Sequence, residues 1–248
     1  MSKIDLYKNE FLNAQNQIQY LLDHSNLPGP RGNLELLFAA QEVGDELFFQ
    51  NCLKYEESIA PTNTPGEFVA TCGAAGLGRL IVQGKVEYFE QLKNLAADNR
   101  WRVREGVSFA LQYLGKQNMD LLLTEIKKWM NENLFVQRAI VAGLCEPVML
   151  KNKNHAGQVL DCLAKIMRNI QKIVNRKDES FRVLKKSLGY GLSVAMVSYP
   201  EKGKRIFAEF TKLKDKDIQW ILKENLKKNR LIKMDTIWVD AMYKVLCE

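Results

Sequence analysis

A pattern that recurs along the chain constrains its fold more than any other feature. Asp98–Val107 and Asp217–Leu226 share the order Asp-x-x-Trp-x-apolar-basic-Glu and start 119 residues apart. Aligning weaker copies on a common apolar position gives intervals of 33, 34, 33, 48 and 38 residues between the anchors Leu36, Val69, Val103, Val136, Leu184 and Leu222. Units of this length cannot bury their apolar faces alone, so they stack on their neighbours. The sequence therefore predicts a repeat protein.

The repeats are predicted to be helical. Strict apolar alternation is almost absent, whereas apolar residues recur at the three- and four-residue spacing of amphipathic helices. We predict an all-α fold of about six helix pairs in one domain, residues 1–248. The second helix of each pair is expected near residues 66–82, 101–114, 134–145, 181–197 and 218–229, followed by a terminal helix near 235–246.

Two short segments add detail to this prediction. Small residues at Gly73–Gly78 are expected inside a helix, where they permit a close crossing by another helix. Lys151–Asn154, within the interval of 48 residues, is predicted to be a longer exposed loop between units.

The cysteines and the hydropathy of the chain indicate its cellular compartment and the groups that it binds. The five cysteines are far apart and form no CxxC pair, so we expect free thiols in a reducing cytoplasm, with no metal and no cofactor. The start of the chain does not resemble a secretory signal. The longest run of low charge, Ser187–Pro200, spans 14 residues, fewer than the roughly 20 of a membrane helix. The sequence therefore predicts a cytoplasmic protein with no membrane contact.

Charge is distributed unevenly along the chain. Residues 1–124 contain 11 basic and 15 acidic residues, and the remainder contains 25 basic and 14 acidic residues. An extended basic surface favours a DNA or RNA phosphate backbone, because each neutralised phosphate releases counterions. The alternative interpretation is that these lysines only solvate outer helix faces.

The segment Asp-x-x-apolar-x-Val-Arg that begins a second helix resembles HEAT repeats, which implies an α-α superhelix, or solenoid, of armadillo-like type. A longer stretch resembles AlkD-type DNA alkylation repair proteins through Asp98-Asn99, Trp101, Arg104, Met119-Asp120, Phe135–Ile140 and Glu146. Other segments are similar to uncharacterised bacterial HEAT-repeat proteins. The AlkD-type resemblance implies a glycosylase that releases cationic alkylated purines from a groove lined by tryptophans, a carboxylate and basic residues.

The resemblance is incomplete at the residues that carry the family's chemistry. Arg104 falls at the groove arginine, which implies a phosphate contact, but a groove tryptophan is replaced by Ala142. The family's catalytic carboxylate has no counterpart in Phe68–Ala74. Weak substitutes are Trp101 with Glu105, and Trp220 with Glu224, since the i, i+4 spacing places ring and carboxylate on one helix face. The alternative is that these residues only pack and compensate helix ends.

Three classes of function follow. The favoured class is a non-catalytic helical-repeat binding protein that contacts a nucleic-acid backbone through Arg104, Arg138, Lys185, Lys186 and Lys223. The alternatives are a divergent alkylpurine glycosylase with relocated groups, and a scaffold that binds another protein. A shared fold does not by itself transmit an activity, so we do not predict an enzyme.

Overall fold

The computed structural model describes residues 2–247, and every regular element in this range is helical. The chain forms two compact units, which we name unit 1 (Met1–Asn118) and unit 2 (Met119–Glu248). The all-α prediction is confirmed. The prediction of a single domain stays a prediction.

Unit 1 contains seven helices among its described residues. They are α1 Lys3–Asn13, α2 Gln17–Asp23, α3 Leu34–Val43, α4 Glu46–Leu53, α5 Pro65–Val82, α6 Tyr88–Leu95 and α7 Trp101–Gln117. Helix α5 lies at the centre of the unit and packs on α2, α3, α4, α6 and α7. Of its 18 residues, 15 are buried, so α5 is enclosed on nearly every side.

Unit 2 contains eight α-helices and one short 3-10 helix among its described residues. They are α8 Met119–Trp129, α9 Leu134–Leu144, the 3-10 helix Pro147–Leu150, α10 Lys153–Ile170, α11 Glu179–Ser198, α12 Pro200–Thr211, α13 Lys216–Leu226, α14 Asn229–Met234 and α15 Thr236–Cys247. Helices α9, α11 and α13 pack side by side in one row, and α8, α10, α12 and α15 form a second row. Helix α11 belongs to the first row and also contacts α10 and α12 of the second row.

The predicted second helices are confirmed as α5, α7, α9, α11 and α13, and the predicted terminal helix is α15. All six repeat anchors are buried in the helices that carry them, namely Leu36, Val69, Val103, Val136, Leu184 and Leu222.

Local sequence sets where the helices start. Most begin after a side chain that accepts a hydrogen bond from a free first-turn amide. At α5, Pro65 occupies the first position and the Thr64 hydroxyl accepts from the Glu67 N–H at 3.3 Å. The same role is filled at other helices by Ser2, Asn16, Asn33, Asp45, Asn133, Asn152, Asp178 and Asp215.

The predicted exposed loop at Lys151–Asn154 is wrong from Lys153 onward, where α10 begins, whereas Lys151 and Asn152 are exposed and non-helical. Asn152 caps α10, because its side chain accepts hydrogen bonds from the backbone N–H groups of Asn154 and His155 at 2.8 and 3.3 Å. Lys153 and Asn154 therefore belong to the helix. The extra residues of this repeat lie in the 3-10 helix, in the 18-residue α10 and in the segment 171–178.

Glycines let α5 and α7 approach closely, as the sequence predicts for Gly73–Gly78. A Cβ atom added at Gly78 would lie 2.4 Å from the Ala110 carbonyl oxygen of α7. A Cβ atom at Gly106 of α7 would lie 2.6 Å from the Thr71 carbonyl oxygen of α5. Both contacts involve backbone atoms, which cannot rotate away as a side chain can.

We expect Gly78→Ala to lower the free energy of unfolding by about 2 kcal/mol, because the new methyl group forces α5 and α7 apart. The matched control is Gly157→Ala in α10, where the nearest atom to a new Cβ lies at 3.4 Å, an ordinary contact distance. Alanine is the better helix former, so the control should be neutral or slightly stabilising. Urea unfolding of both variants tests this, and equal stabilities would contradict the steric argument.

Candidate functional site

Four of the five predicted nucleic-acid contacts lie in unit 2, in the row formed by α9, α11 and α13. Arg138 is on α9, Lys185 and Lys186 are on α11, and Lys223 is on α13. Lys186 is exposed and the other three are partly exposed. The fifth residue, Arg104, is on α7 of unit 1.

Arg104 is buried, with 3% of its surface exposed. Its Nη1 donates hydrogen bonds to the carbonyl oxygens of Asp98 and Asn99, at 2.7 and 2.8 Å. The guanidinium therefore closes the turn before α7. The neighbouring Arg100 and Arg102 are also buried. Sequence reasoning did not detect that these three arginines serve the interior of unit 1.

Helix α11 presents an exposed stripe of Arg182, Lys186 and Tyr190, spaced four residues apart. This spacing keeps the three side chains on one helix face. The flanks of α11 pack on α9 and α13, and it also contacts α10 and α12 of the second row. The stripe is the part of α11 that these four neighbours do not cover.

Tyr190 combines an exposed ring with two nearby cations. Its exposed fraction is 48%. The Arg230 guanidinium carbon lies 4.4 Å from the ring centroid, and Arg230 Nη2 donates to the Tyr190 hydroxyl at 2.8 Å. The Lys228 Nζ lies 5.9 Å from the same centroid. These distances are typical of cation–π contacts.

Trp220 lies on α13 beside α11, where a glycine makes room for it. A Cβ atom at Gly189 would lie 3.1 Å from Cζ3 of the Trp220 ring. Trp220 is 36% exposed, and the Lys185 Nζ lies 4.8 Å from its ring centroid. The tryptophan of the repeat pattern therefore both packs against its neighbour and offers an open surface.

We define the aromatic–basic surface as the set of residues Lys185, Lys186, Tyr190, Trp220, Lys223, Lys228 and Arg230. Among residues 2–247, Lys186 and Lys223 have no ion pair. Glu224, the carboxylate that the sequence pairs with Trp220, instead forms an ion pair with Lys227. The Trp220 and Glu224 pair therefore does not leave a free acid beside the ring.

An ion-pair cluster holds the start of α13 against the segment that follows α10. Arg176 donates to both carboxylate oxygens of Asp215, at 2.9 and 2.8 Å, and to Asp217 at 2.9 Å. Lys185 Nζ donates to the other Asp217 oxygen at 3.1 Å. Hydrogen bonding from Arg176 holds the pKa of Asp215 below its ordinary value. The same pairing, chiefly with Asp215, raises the pKa of Arg176.

The other sequence candidates, Trp101 and Glu105, line a pocket of about 230 Å³ in unit 1. Trp101 is 44% exposed and Glu105 is partly exposed. The remaining lining residues were not predicted; they are Pro30, Arg31, Gly32, Leu34 and Leu37 before and within α3, Phe68 and Thr71 of α5, and Arg102 and Phe109 of α7. Among these residues, only Phe109 has a signal in the sequence, because it continues the four-residue spacing of Trp101 and Glu105 along α7.

A buried ion pair supports this pocket. Glu67 is fully buried, and its Oε2 accepts from Arg102 Nη1 at 2.9 Å and from the Asn63 N–H at 2.8 Å. Arg102 Nη2 donates to the Gly29 carbonyl oxygen at 2.8 Å, and its guanidinium lies 4.4 Å from the Trp101 ring centroid. Removing either partner would leave a buried charge without compensation.

The cysteine thiols and the potential metal ligands form no further site in the described part of the chain. Cys52, Cys72, Cys145 and Cys162 are buried, and burial raises the pKa of each thiol. Cys247 is exposed, unlike the other four. Within residues 2–247, no cluster of three His, Cys, Asp or Glu side chains is arranged to hold a metal ion.

None of the described helices combines the length and the apolar composition needed to cross a membrane. A comparison with protein-family models, curated proteins and solved structures finds no match to this chain. The resemblance to HEAT and AlkD-type proteins therefore stays an expectation from its sequence motifs.

We expect Asp215→Asn to lower the free energy of unfolding by about 2 kcal/mol at neutral pH, because it removes charged hydrogen bonds from Arg176 but keeps an N-cap oxygen. The matched control is Asp178→Asn, an exposed N-cap of α11 without an ion pair. This control should lose much less stability.

The effect of Asp215→Asn should also depend on pH. Because the folded-state pKa of Asp215 is lowered, its stabilisation is complete above the unfolded value near 3.8 and is lost as the pH falls through the folded value. Urea titrations at several pH values measure the difference between wild type and variant. A difference that grows as the pH falls below 4 would contradict this assignment.

Proposed function

We propose that this protein is a non-catalytic, HEAT-like helical-repeat protein that binds single-stranded nucleic acid through the aromatic–basic surface of unit 2. The observation that carries the proposal is the pairing of two exposed aromatic rings, Tyr190 and Trp220, with the cations Lys185 and Arg230. A nucleic-acid strand presents the two chemical groups that such a surface recognises, namely flat bases and phosphates.

The proposed superhelix is supported by the arrangement within each unit. In unit 1, α3, α5 and α7 pack in succession, and in unit 2, α9, α11 and α13 do the same. Each of these helices buries its anchor residue at the repeat spacing predicted from the sequence. This is the packing that stacked helix pairs of the HEAT type use.

The net charge of unit 2 favours a partner that carries phosphates, and the net charge of unit 1 does not. Unit 2 contains 25 Lys and Arg against 15 Asp and Glu, whereas unit 1 contains 11 against 14. Much of the basic charge is compensated by ion pairs, such as Lys202 with Asp161 and Lys204 with Asp235. Lys186 and Lys223 lack such partners among residues 2–247, so their charge is available to a ligand. The buried Arg104 has no part in the proposed binding surface.

The aromatic residues favour a single strand over a duplex. In a duplex the base faces are stacked on each other, so an exposed tyrosine or tryptophan cannot reach them without unstacking. In a single strand each base offers a free π-face, and stacking on an aromatic side chain contributes about 1–3 kcal/mol per base. Lysines alone would attract both forms through their phosphates.

We expect wild-type protein to bind a fluorescent single-stranded oligonucleotide more tightly than the matching duplex, with affinity that falls steeply as salt rises. Lys186→Glu with Lys223→Glu should reduce the affinity at least about tenfold at low salt. The matched control is Lys151→Glu with Lys165→Glu. Lys151 follows the 3-10 helix and Lys165 lies on α10, both are exposed, and the control changes the net charge equally. Fluorescence anisotropy measures each affinity.

The aromatic part is tested by Tyr190→Leu, which removes the ring but keeps an apolar side chain. Single-strand affinity should fall at least about fivefold, while the weaker duplex affinity should change little, since only the single strand can stack. Equal loss for both forms would mean that the ring acts through Arg230 rather than by stacking. No binding at low salt, or equal losses in the two charge-reversal pairs, would contradict the proposed function.

We also expect no efficient release of a cationic methylated purine from duplex DNA. Glycosylase chemistry needs a carboxylate near the sugar cation that forms. The segment Phe68–Ala74 contains none, and the adjacent Glu67 is buried and paired with Arg102. A single-turnover assay should give the same slow background for wild type and Glu105→Gln. Rapid release that Glu105→Gln or Trp101→Ala abolishes would establish the alternative function instead.

A further inference from the structure

Helix α15 carries an exposed apolar stripe on the side opposite its buried face. Ile237, Ala241 and Val245 are exposed and lie four residues apart, so they share one face of the helix. Ile237 is 84% exposed and Val245 is 44% exposed, whereas Val239, on the other side of the helix, is buried. Apolar side chains exposed on consecutive turns of one helix mark a surface that another molecule covers.

The stripe is held in place by the packing of α15 on α12, α13 and α14. The Trp238 ring meets the Phe207 ring edge to face, with 5.1 Å between their centroids. Asp235, just before the helix, accepts a hydrogen bond from the Trp238 N–H at 3.0 Å and forms an ion pair with Lys204. The helix therefore cannot turn its stripe inward without breaking these contacts.

Two charges of opposite sign lie along one edge of the stripe. Asp240 and Lys244 are exposed and one helical turn apart, and neither forms an ion pair with any residue in the range 2–247. The other edge carries Trp238 and Met242, which are uncharged. A strongly acidic or strongly basic partner would attract one of the two charges and repel the other, so the edge as a whole favours neither.

We infer that α15 binds α15 of a second copy of this chain, antiparallel about a two-fold axis at Ala241. Such an axis places the same edge of both helices side by side, running in opposite directions. Asp240 then lies within about 3 Å, measured along the helix, of Lys244 of the second copy, because each residue advances about 1.5 Å. This contact occurs twice. Ile237 lies opposite Val245 of the second copy, and the small Ala241 side chain lets the helices approach closely.

A parallel pair of α15 helices would lose this charge complementarity. It would place the charged edge of one helix against the uncharged edge of the other, which carries Trp238 and Met242. The antiparallel pair is therefore the arrangement in which one helix supplies both the apolar contact and the opposite charges that its own copy requires.

The length of α15 sets the expected strength of the dimer. Its 12 residues span about 18 Å. The helix pair therefore buries less than the roughly 1,200 Å² at which stable interfaces begin. We expect a reversible dimer with a dissociation constant on the order of 10–100 µM. The inference concerns α15 alone and does not rest on nucleic-acid binding by unit 2.

Sedimentation velocity of the full chain, at concentrations below and above this constant, should show a monomer–dimer equilibrium. Asp240→Lys and Lys244→Asp should each weaken the dimer at least about tenfold, because both attractions between the copies become repulsions. The two variants mixed in equal amounts should form a heterodimer about as tight as the wild-type dimer, since opposite charges then meet at both contacts. Glu56→Lys is the matched control: it changes the net charge as Asp240→Lys does, at an exposed carboxylate of unit 1, and should dimerise like wild type.

The position of the axis is tested by Ala241→Cys in a chain that also carries Cys247→Ser, which removes the exposed thiol. Two copies should become joined by a disulfide while oxidised glutathione accepts the electrons and protons of the two thiols and is reduced. Lys233→Cys in the same background, exposed on α14, should cross-link much more slowly. Circular dichroism checks that every variant is folded.

Four results would each overturn the inference. They are a full chain that stays monomeric, a mixture of Asp240→Lys and Lys244→Asp that does not associate, a Glu56→Lys variant weakened as much as Asp240→Lys, and an Ala241→Cys variant that cross-links no faster than Lys233→Cys.

Discussion

The near-complete enclosure of α5 is the constraint on which unit 1 depends. A helix with neighbours on nearly every side can carry few large side chains, which accounts for Gly73, Gly76 and Gly78 in its central turns. Its one charged residue in the first turn, Glu67, is buried with it and requires a cation. Arg102 of α7 supplies that cation. The burial of α5 therefore requires an arginine at this position, and its guanidinium also lies over the Trp101 ring.

The pocket in unit 1 is a consequence of the same pairing. Arg102 has three tasks, since it neutralises Glu67, anchors the Gly29 carbonyl group and supports the Trp101 ring. The loop that contains Pro30 and Gly32 is thereby held over Phe68, and a Cβ atom at Gly32 would lie 3.2 Å from the Phe68 ring. Helix α11 of unit 2 is less enclosed and keeps one open stripe. The start of α7 in unit 1 therefore lines a pocket, whereas α11 of unit 2 presents an open helix face.

Sequence patterns predicted the elements that local interactions determine. Helical spacing predicted α5, and the repeat spacing predicted the burial of Val69, Val103 and Val136. The same patterns failed at Lys153, because the preceding asparagine acts as a cap and starts α10 earlier than expected. Asparagine is common both in loops and at helix N-caps, so only the backbone groups that it bonds distinguish the two roles.

Long-range partners were beyond the reach of the sequence. Arg100 and Arg102 look alike along the chain, yet their partners lie on distant segments, namely Tyr55 and Ala60 for Arg100 and Gly29 for Arg102. No local signal encodes those contacts, so the burial of these two arginines could not be predicted. Trp101 and Glu105 were detectable as a pair, but Phe68 and Pro30, which complete the pocket, are brought there only by the packing of α5 and the loop before α3.

The cations of the aromatic–basic surface should not contribute equally to binding a phosphate. Lys185 already donates to Asp217 and lies over Trp220, so a phosphate must replace or share an existing carboxylate. Because that exchange substitutes one anion for another, its net gain is small. Lys186 and Lys223 lose only water when they bind, since they have no ion-pair partner among residues 2–247. The net charge of unit 2 therefore overstates its phosphate affinity, and the lysines without partners determine how strongly salt weakens it.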